Sequence, residues 1–241
     1  MKTAIDAETI LGPLEDPRYG TILEIRPTAD TGRAGRYPSQ AVVVTNAARR
    51  MIELSKGGQK IASIVVRQED DDPTLHPEFR EISENLRELT NKWYPRAKMV
   101  LECGPGNFRT PDERHVVVSY DRPRIRFAAG TQKSFAATSG LPGGELKRVV
   151  SDLAHIEHEN FVLEAEFLRG DIDNSTDSEL RAFIGHLKSI RPTTVEVSTI
   201  EKAETRGKAK VKPVTKTRLN EIVEQLAEKT GLTIETADSA S

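Results

Sequence analysis

The sequence predicts an α/β fold on a parallel sheet, and three observations carry that prediction. Short apolar, β-rich segments alternate six times with segments whose apolar residues recur every three or four positions. Residues 60–68, KIASIVVRQ, are β-branched and almost continuously apolar, the pattern of a parallel strand covered on both faces. An apolar fraction of 37% in 241 residues is enough for one large core. Six strand-then-helix units imply right-handed crossovers and either a partial barrel or a doubly wound sheet. Both place function at the carboxyl ends of the strands.

Residues 1–18 read as a polar leader, and residues 19–201 as the α/β body. The body opens with TILEIRPT (21–28), a short strand of Ile22, Leu23 and Ile25 stopped by Pro27. A Gly-, Pro- and Ser-containing loop follows, and then a helix with Thr45 or Asn46 as N-cap and Gly57 as its stop. After the 60–68 strand come four acids, Glu69 to Asp72, and a helix with Phe79, Ile82, Leu86, Leu89 and Trp93 on one face. Pro77 suits its first helical position and Pro95 marks its end. AKMVLECG (97–104) is the third strand. Residues 110–121 are read as a short helix capped by Thr110, although Val116 to Val118 equally suit a strand.

RPRIRFAAG (122–130) is the fourth strand, and residues 143–158 a helix. ENFVLEAEFLRGD (159–171) is the fifth strand, followed by a helix carrying Leu180, Phe183, Ile184 and Leu187. TTVEVSTI (193–200) is the sixth strand. Residues 202–213 are basic and poor in apolar residues, the composition of a linker, and residues 214–241 hold a closing helix and a tail, with Leu219, Ile222, Val223 and Leu226 inward and Gly231 at the helix end.

Thirty-five basic and 37 acidic residues give a formal charge of −2, so no global field selects nucleic acid or an anionic membrane. The single Cys103 excludes an intramolecular disulfide and any site that needs several thiolates from this chain. The first twenty residues carry acids and prolines where a signal peptide has its apolar stretch, and no segment approaches the roughly eighteen apolar residues of a membrane span. The expected location is the cytoplasm, without a membrane partner.

DDPTLHPEF (71–79) resembles the Gly-Glu-Pro-Thr-Leu-His-Pro segment of radical S-adenosylmethionine (SAM) proteins, in the group related to wyosine-type tRNA-modifying enzymes. YGTILEIRP, RFAAGTQKSF and residues 169–199 resemble further segments of that group in the same order, so the likeness spans most of 19–200. The resemblance implies a partial six-stranded parallel (β/α)6 barrel. It also implies that the four acids follow the second strand, where the family places a Gly and a Glu beside the methionine amino group; here Asp71 and Asp72 stand there. The family carries Cys-x3-Cys-x2-Cys after its first strand to hold a [4Fe-4S] cluster, and this chain has TADTGRAGRYPSQAVVV, without a thiol. The chain is thus similar to a degenerate member, with no [4Fe-4S] cluster and no SAM bound in the family's manner.

Several residues are candidates for chemistry, each with a plainer alternative. Among the acids, Asp70 and Asp72 with His76 are candidate ligands of a divalent cation; the favoured alternative is a solvated acid loop and a packed or capping histidine. Asp72, His76 and Glu102 are the catalytic candidates. Arg33 and Arg36, in a Gly-containing loop, are candidates for binding a phosphate or carboxylate. His155 and His158 are read as a polar helix end, and Cys103 as a small buried residue rather than a nucleophile. The stretch Lys202 to Arg218 is favoured as a solvated linker over a nucleic-acid contact, since no aromatics interleave it. Two functions follow: a cluster-less binding or regulatory scaffold, with a protein partner or an active radical SAM relative, or an enzyme with replacement chemistry at the strand ends, using a divalent cation or an anionic substrate.

Overall fold

A computed structural model describes residues 8–30, 37–67 and 71–237. It shows an α/β fold with a mostly parallel sheet of eight strands and a separate sheet of three. The chain divides into two compact units, the first made of residues 1–103 and 115–123, the second of 104–114 and 124–241. All six strands expected from the sequence form.

In the first unit, β1 (Ile10–Asp16) runs antiparallel to β2 (Gly20–Ile25). β2 pairs in parallel with β3 (Ser63–Val66), and β3 with β4 (Lys98–Cys103). β1 lies in the segment read as a polar leader. Gly12 and Pro13 look like strand breakers in sequence, but they fall at a register shift between Leu11 and Leu14, where an edge strand tolerates them. A side chain at Gly12, whose φ is +114°, would meet the Ile22 carbonyl at 2.7 Å.

α1 (Gln40–Lys56) joins β2 to β3, and α2 (Phe79–Trp93) joins β3 to β4. α1 starts earlier than expected. Ser39 is its N-cap, and Val43, Ala47 and Met51, four residues apart, form the buried stripe. Tertiary burial of Val43 outweighs the low helix propensity of three successive valines. Asn46 is mid-helix, and its side chain donates to Thr9 Oγ1 at 3.0 Å. Gly57 ends the helix as expected. α2 buries Phe79, Ile82 and Leu86 as its spacing predicts, but its N-cap is Glu78, so Pro77 precedes the helix instead of opening it.

The strands of this unit present two unlike faces. Leu23, Ile25, Ile64, Val66, Met99, Leu101 and Cys103 are at most 1% exposed and alternate with the other set. That other set includes Ile22, Val65 and Val100, which cluster with Tyr19, and also Glu24 and Glu102. β3 alone is buried along its whole length, as its composition predicts. Asp121 secures the start of β4: its carboxylate accepts from the Met99 amide at 2.7 Å and from Arg87 Nη1 at 3.0 Å.

In the second unit, β5 (Arg122–Arg126, from Arg124 onward), β6 (Val162–Glu166), β8 (Thr194–Ser198) and β11 (Thr233–Thr236) pair in parallel. β11 lies in the segment read as a tail; its register with β8 runs Thr233 to Thr194 through Thr236 to Val197. Helices α5 (Leu146–Leu153), α6 (Asp177–Ile190) and α7 (Lys216–Thr230) fall where expected. α3 (Pro111–Val118), whose residues 115–118 belong to the first unit, is also the helix favoured over a strand, with Thr110 and Glu113 exchanging cap hydrogen bonds.

Besides β11, three elements of this unit, a helix and two strands, are unpredicted. α4 (Gln132–Ser139) follows β5; its Ser- and Thr-rich sequence has weak helix propensity, and a Thr131–Ser134 capping box with fully buried Phe135 overrides that. The segment expected to be a linker forms β9 (Glu204–Arg206) and β10 (Ala209–Pro213), a hairpin that adds to β7 (Leu168–Gly170). Val211 explains why: one valine among lysines is invisible as a pattern, but it is fully buried against Leu168 and Ile172. Among the described residues no helix is long and apolar enough to cross a membrane.

The Asp121 contacts generate a prediction. Burial raises its carboxyl, but the Met99 amide, Arg87 and Lys98 outweigh that and hold it below the ordinary carboxylate range. A depressed carboxyl stabilises the fold above its unfolded pKa and loses that contribution as pH falls through the folded one. Asp121→Ala is expected to cost about 1.5–3 kcal/mol at neutral pH. Urea unfolding is expected to show the variant and wild type converging as the pH drops below the ordinary carboxylate range.

Candidate functional site

The candidate site is the carboxyl end of β2, β3 and β4 in the first unit, where the acid loop and Glu102 lie. Arg33, Arg36 and Asp70 fall outside the described residues. The other candidates are placed, and each is held by bonds that shape the chain.

Asp72 is the N-cap of a 3₁₀ turn, Pro73–Leu75, and its Oδ1 accepts from the Thr74 amide at 2.8 Å and the Thr74 hydroxyl at 2.6 Å. Thr28 Oγ1 donates to the Asp71 carbonyl at 2.9 Å, tying the acid loop to the chain after β2. Burial raises the Tyr37 hydroxyl above its ordinary value, and the Asp71 carboxylate hydrogen-bonded to it adds to the shift, as does Asp72. His76 is 3% exposed. Its Nδ1 accepts from the Glu78 amide at 3.0 Å, so Nε2 carries the proton and donates to the Pro38 carbonyl at 2.7 Å. The Tyr37 ring stacks on it at 5.8 Å. With both nitrogens bonded to backbone, His76 is a pin between two loops. Among the described residues no three His, Cys, Asp or Glu side chains converge as metal ligands. His155 and His158 each bond to nearby backbone, at Ser151 O and the Asn160 amide.

Glu102 belongs to a charge network that the sequence reading missed. Its Oε1 accepts from the Tyr19 hydroxyl at 2.6 Å, and its Oε2 lies 3.5 Å from Arg67 Nη1. Arg67 also reaches Glu24 at 2.8 Å and Asp16 at 3.3 Å, and Arg26 pairs with Glu24. Burial works against the charge of Arg67, but Glu102, Glu24 and Asp16 outweigh it and raise its pKa above the ordinary arginine value. Three carboxylates and two guanidiniums are thus joined in one network. A signal for this existed in sequence: Glu24 in ILEI, Glu102 in LEC and Arg67 after SIVV recur at alternate strand positions.

The second unit repeats the device. Arg124, 6% exposed, lies 2.7 Å from both Glu164 and Glu196, which are register partners on β6 and β8. Its loops are bound by two buried polar residues. The Glu179 carboxylate accepts from the Gly130 and Thr131 amides and from the Thr131 and Ser134 hydroxyls. Burial raises its carboxyl, and these four donors together bring it below its ordinary value. Asn174 accepts from the Leu168 amide and donates to the Ala128 and Glu166 carbonyls.

No family model matches the chain, and no curated protein does. Solved structures do match. SuiB of Streptococcus suis bound to S-adenosylmethionine superposes on 86% of this chain with a TM-score of 0.58 and 12% identity, and the match covers 46% of SuiB. A domain of the pyruvate-formate lyase-activating enzyme of Bacteroides vulgatus superposes on 73% of this chain and 99% of its own length, with a TM-score of 0.54 and 10% identity. The fold is therefore that of the radical SAM partial barrels, and this chain spans less than half the length of SuiB.

The family that residues 71–79 resemble holds a [4Fe-4S] cluster on three cysteines, and this chain does not carry three. A cubane is held by cysteine thiolates. These 241 residues hold one cysteine, Cys103, fully buried on the apolar face of β4. Residues 26–39, between β2 and α1, contain neither Cys nor His.

The Arg67 network generates the second prediction. Arg67→Met leaves Glu24 with Arg26 and Glu102 with the Tyr19 hydroxyl but removes the guanidinium that joins them to Asp16, and is expected to cost about 1–3 kcal/mol at neutral pH. Chemical denaturation at neutral pH measures it; a variant within about 0.5 kcal/mol of wild type would show that the network is a solvated ornament.

Proposed function

We propose that this chain uses the radical SAM fold without iron–sulfur chemistry, as a binding or regulatory scaffold for a protein partner, an active radical SAM relative being the first class to test. The observation that carries this reading is the donor set: one thiol in the chain, buried on the apolar face of β4, and none in the loop where the resembling family has three. The paired charges at the ends of β2–β4 support it, since Glu24, Glu102 and Arg67 are committed to one another. The competing enzymatic reading, with Asp70, Asp72, His76 and Glu102 around a cation, has less support: three of these four side chains make the structural bonds described above, and Asp70 lies outside the described residues.

Anaerobic reconstitution with iron and sulfide tests the reading directly. The expected product carries less than one iron per chain and lacks the broad visible absorption of a cluster. Roughly four irons per chain, the content of a cubane, would overturn the proposal.

A separate expectation concerns S-adenosylmethionine. Without a cluster iron to anchor its amino and carboxylate groups, and with the Asp71 carboxylate repelling the ligand's own, binding is expected to be no tighter than about millimolar, worth roughly 4 kcal/mol. Equilibrium dialysis with labelled ligand measures it. A low-micromolar Kd weakened by Asp72→Ala would return the acid loop to the role of a cofactor site.

A further inference from the structure

We propose that the outward face of the small sheet β7–β10–β9 binds the phosphodiester backbone of nucleic acid. The chain carries a formal charge of only −2, yet residues 202–218 contain seven cations against the single acid Glu204. The structure sorts those cations. Arg206 is committed to Glu166 and Glu204, and Arg218 to Asp177 and Glu221. The five lysines of the segment are exposed and make no ion pair among the described residues.

Strand alternation gathers the central ones. Val211 is buried against the rest of the unit, so Lys210 and Lys212, on either side of it, point outward. Arg169 on β7 is the register partner of Lys212 and is also exposed without a carboxylate partner; its Nε donates to the Pro213 carbonyl. The nearby carboxylate of Asp171 accepts from the Lys210 amide. Like charges directly opposite on paired strands destabilise a sheet, so Arg169 beside Lys212 is an arrangement that a polyanion relieves. Cations recurring about 7 Å apart along a strand and about 5 Å across it form a flat positive surface, suited to a row of phosphates.

The chemistry of the face narrows the occupant. It carries no aromatic ring for stacking on bases, so recognition is of backbone, independent of sequence and strongly salt-dependent. Peripheral membrane binding combines charge with apolar insertion. The exposed large hydrophobic residues among those described, Leu14 and Leu75, lie in the other unit, so nucleic acid is favoured over an anionic lipid surface. This inference is independent of whether the chain holds a cofactor.

The test is fluorescence anisotropy of the full chain with a labelled single-stranded RNA of about 20 nucleotides, over about 50 to 200 mM salt. For three to five phosphate contacts the slope of log K against log salt is expected to be roughly −2 to −3.5. K210Q with K212Q is expected to reduce the slope by about 1.4 and weaken binding about tenfold at the lowest salt. K133Q with K147Q removes the same charge from exposed positions elsewhere in the unit and is expected to leave binding unchanged. Far-UV circular dichroism confirms that both variants fold. Wild-type binding by K210Q with K212Q, equal weakening by both pairs, or binding to phosphatidylserine vesicles without binding to RNA would each overturn the proposal.

Discussion

Arg67 is the charge on which the first unit's strand ends depend. Parallel strands joined by right-handed crossovers place their connecting helices on one face, so the other face must be sealed by the strands' own side chains. Here that face carries Glu24, 4% exposed, which would be untenable as an isolated charge. Arg67 links it to Glu102 and Asp16, Arg26 adds a second guanidinium, and Tyr19 covers the apolar remainder while donating to Glu102. The second unit meets the same constraint with Arg124 between Glu164 and Glu196. Such pairs are weak evidence of net stability, but strong determinants of geometry, because loss of either partner leaves a buried charge.

The loops follow the same logic of polar groups bound to backbone. His76, Asp72, Glu179, Asn174 and Asp121 would each attract attention as chemistry in an isolated sequence. In the fold each satisfies amides or carbonyls that loops and strand starts leave unpaired. Gly130 shows how tight this is: a side chain there would collide with the backbone of Glu179, whose carboxylate accepts the Gly130 amide. Groups engaged in this way hold the backbone of the loops in place.

The small sheet is a different case, because its polar residues are not absorbed by the fold. Its buried side needs only Val211, Leu168 and Ile172, and its other side is left to lysines. Arg169 and Lys212 stand there in cross-strand register, and neither is paired with a carboxylate among the described residues.

The sequence by itself determined the alternation of strands and helices, the six parallel strands, the buried stripe of α2, the α3 cap, the absence of cluster thiols and the likeness to the radical SAM fold. These rest on periodicity and residue identity, which are local. Tertiary structure decided the rest. β1 exists because β2 offers it an edge, α4 because a capping box and Phe135 outweigh propensity, and β9–β10 because one valine finds a pocket of apolar partners. The hydrogen-bond partners of Glu102, His76 and Asp72 were decided in the same way. A carboxylate or an imidazole becomes structural or chemical according to which distant donors reach it, and Tyr19, 83 positions from Glu102 in sequence, is joined to it only by folding.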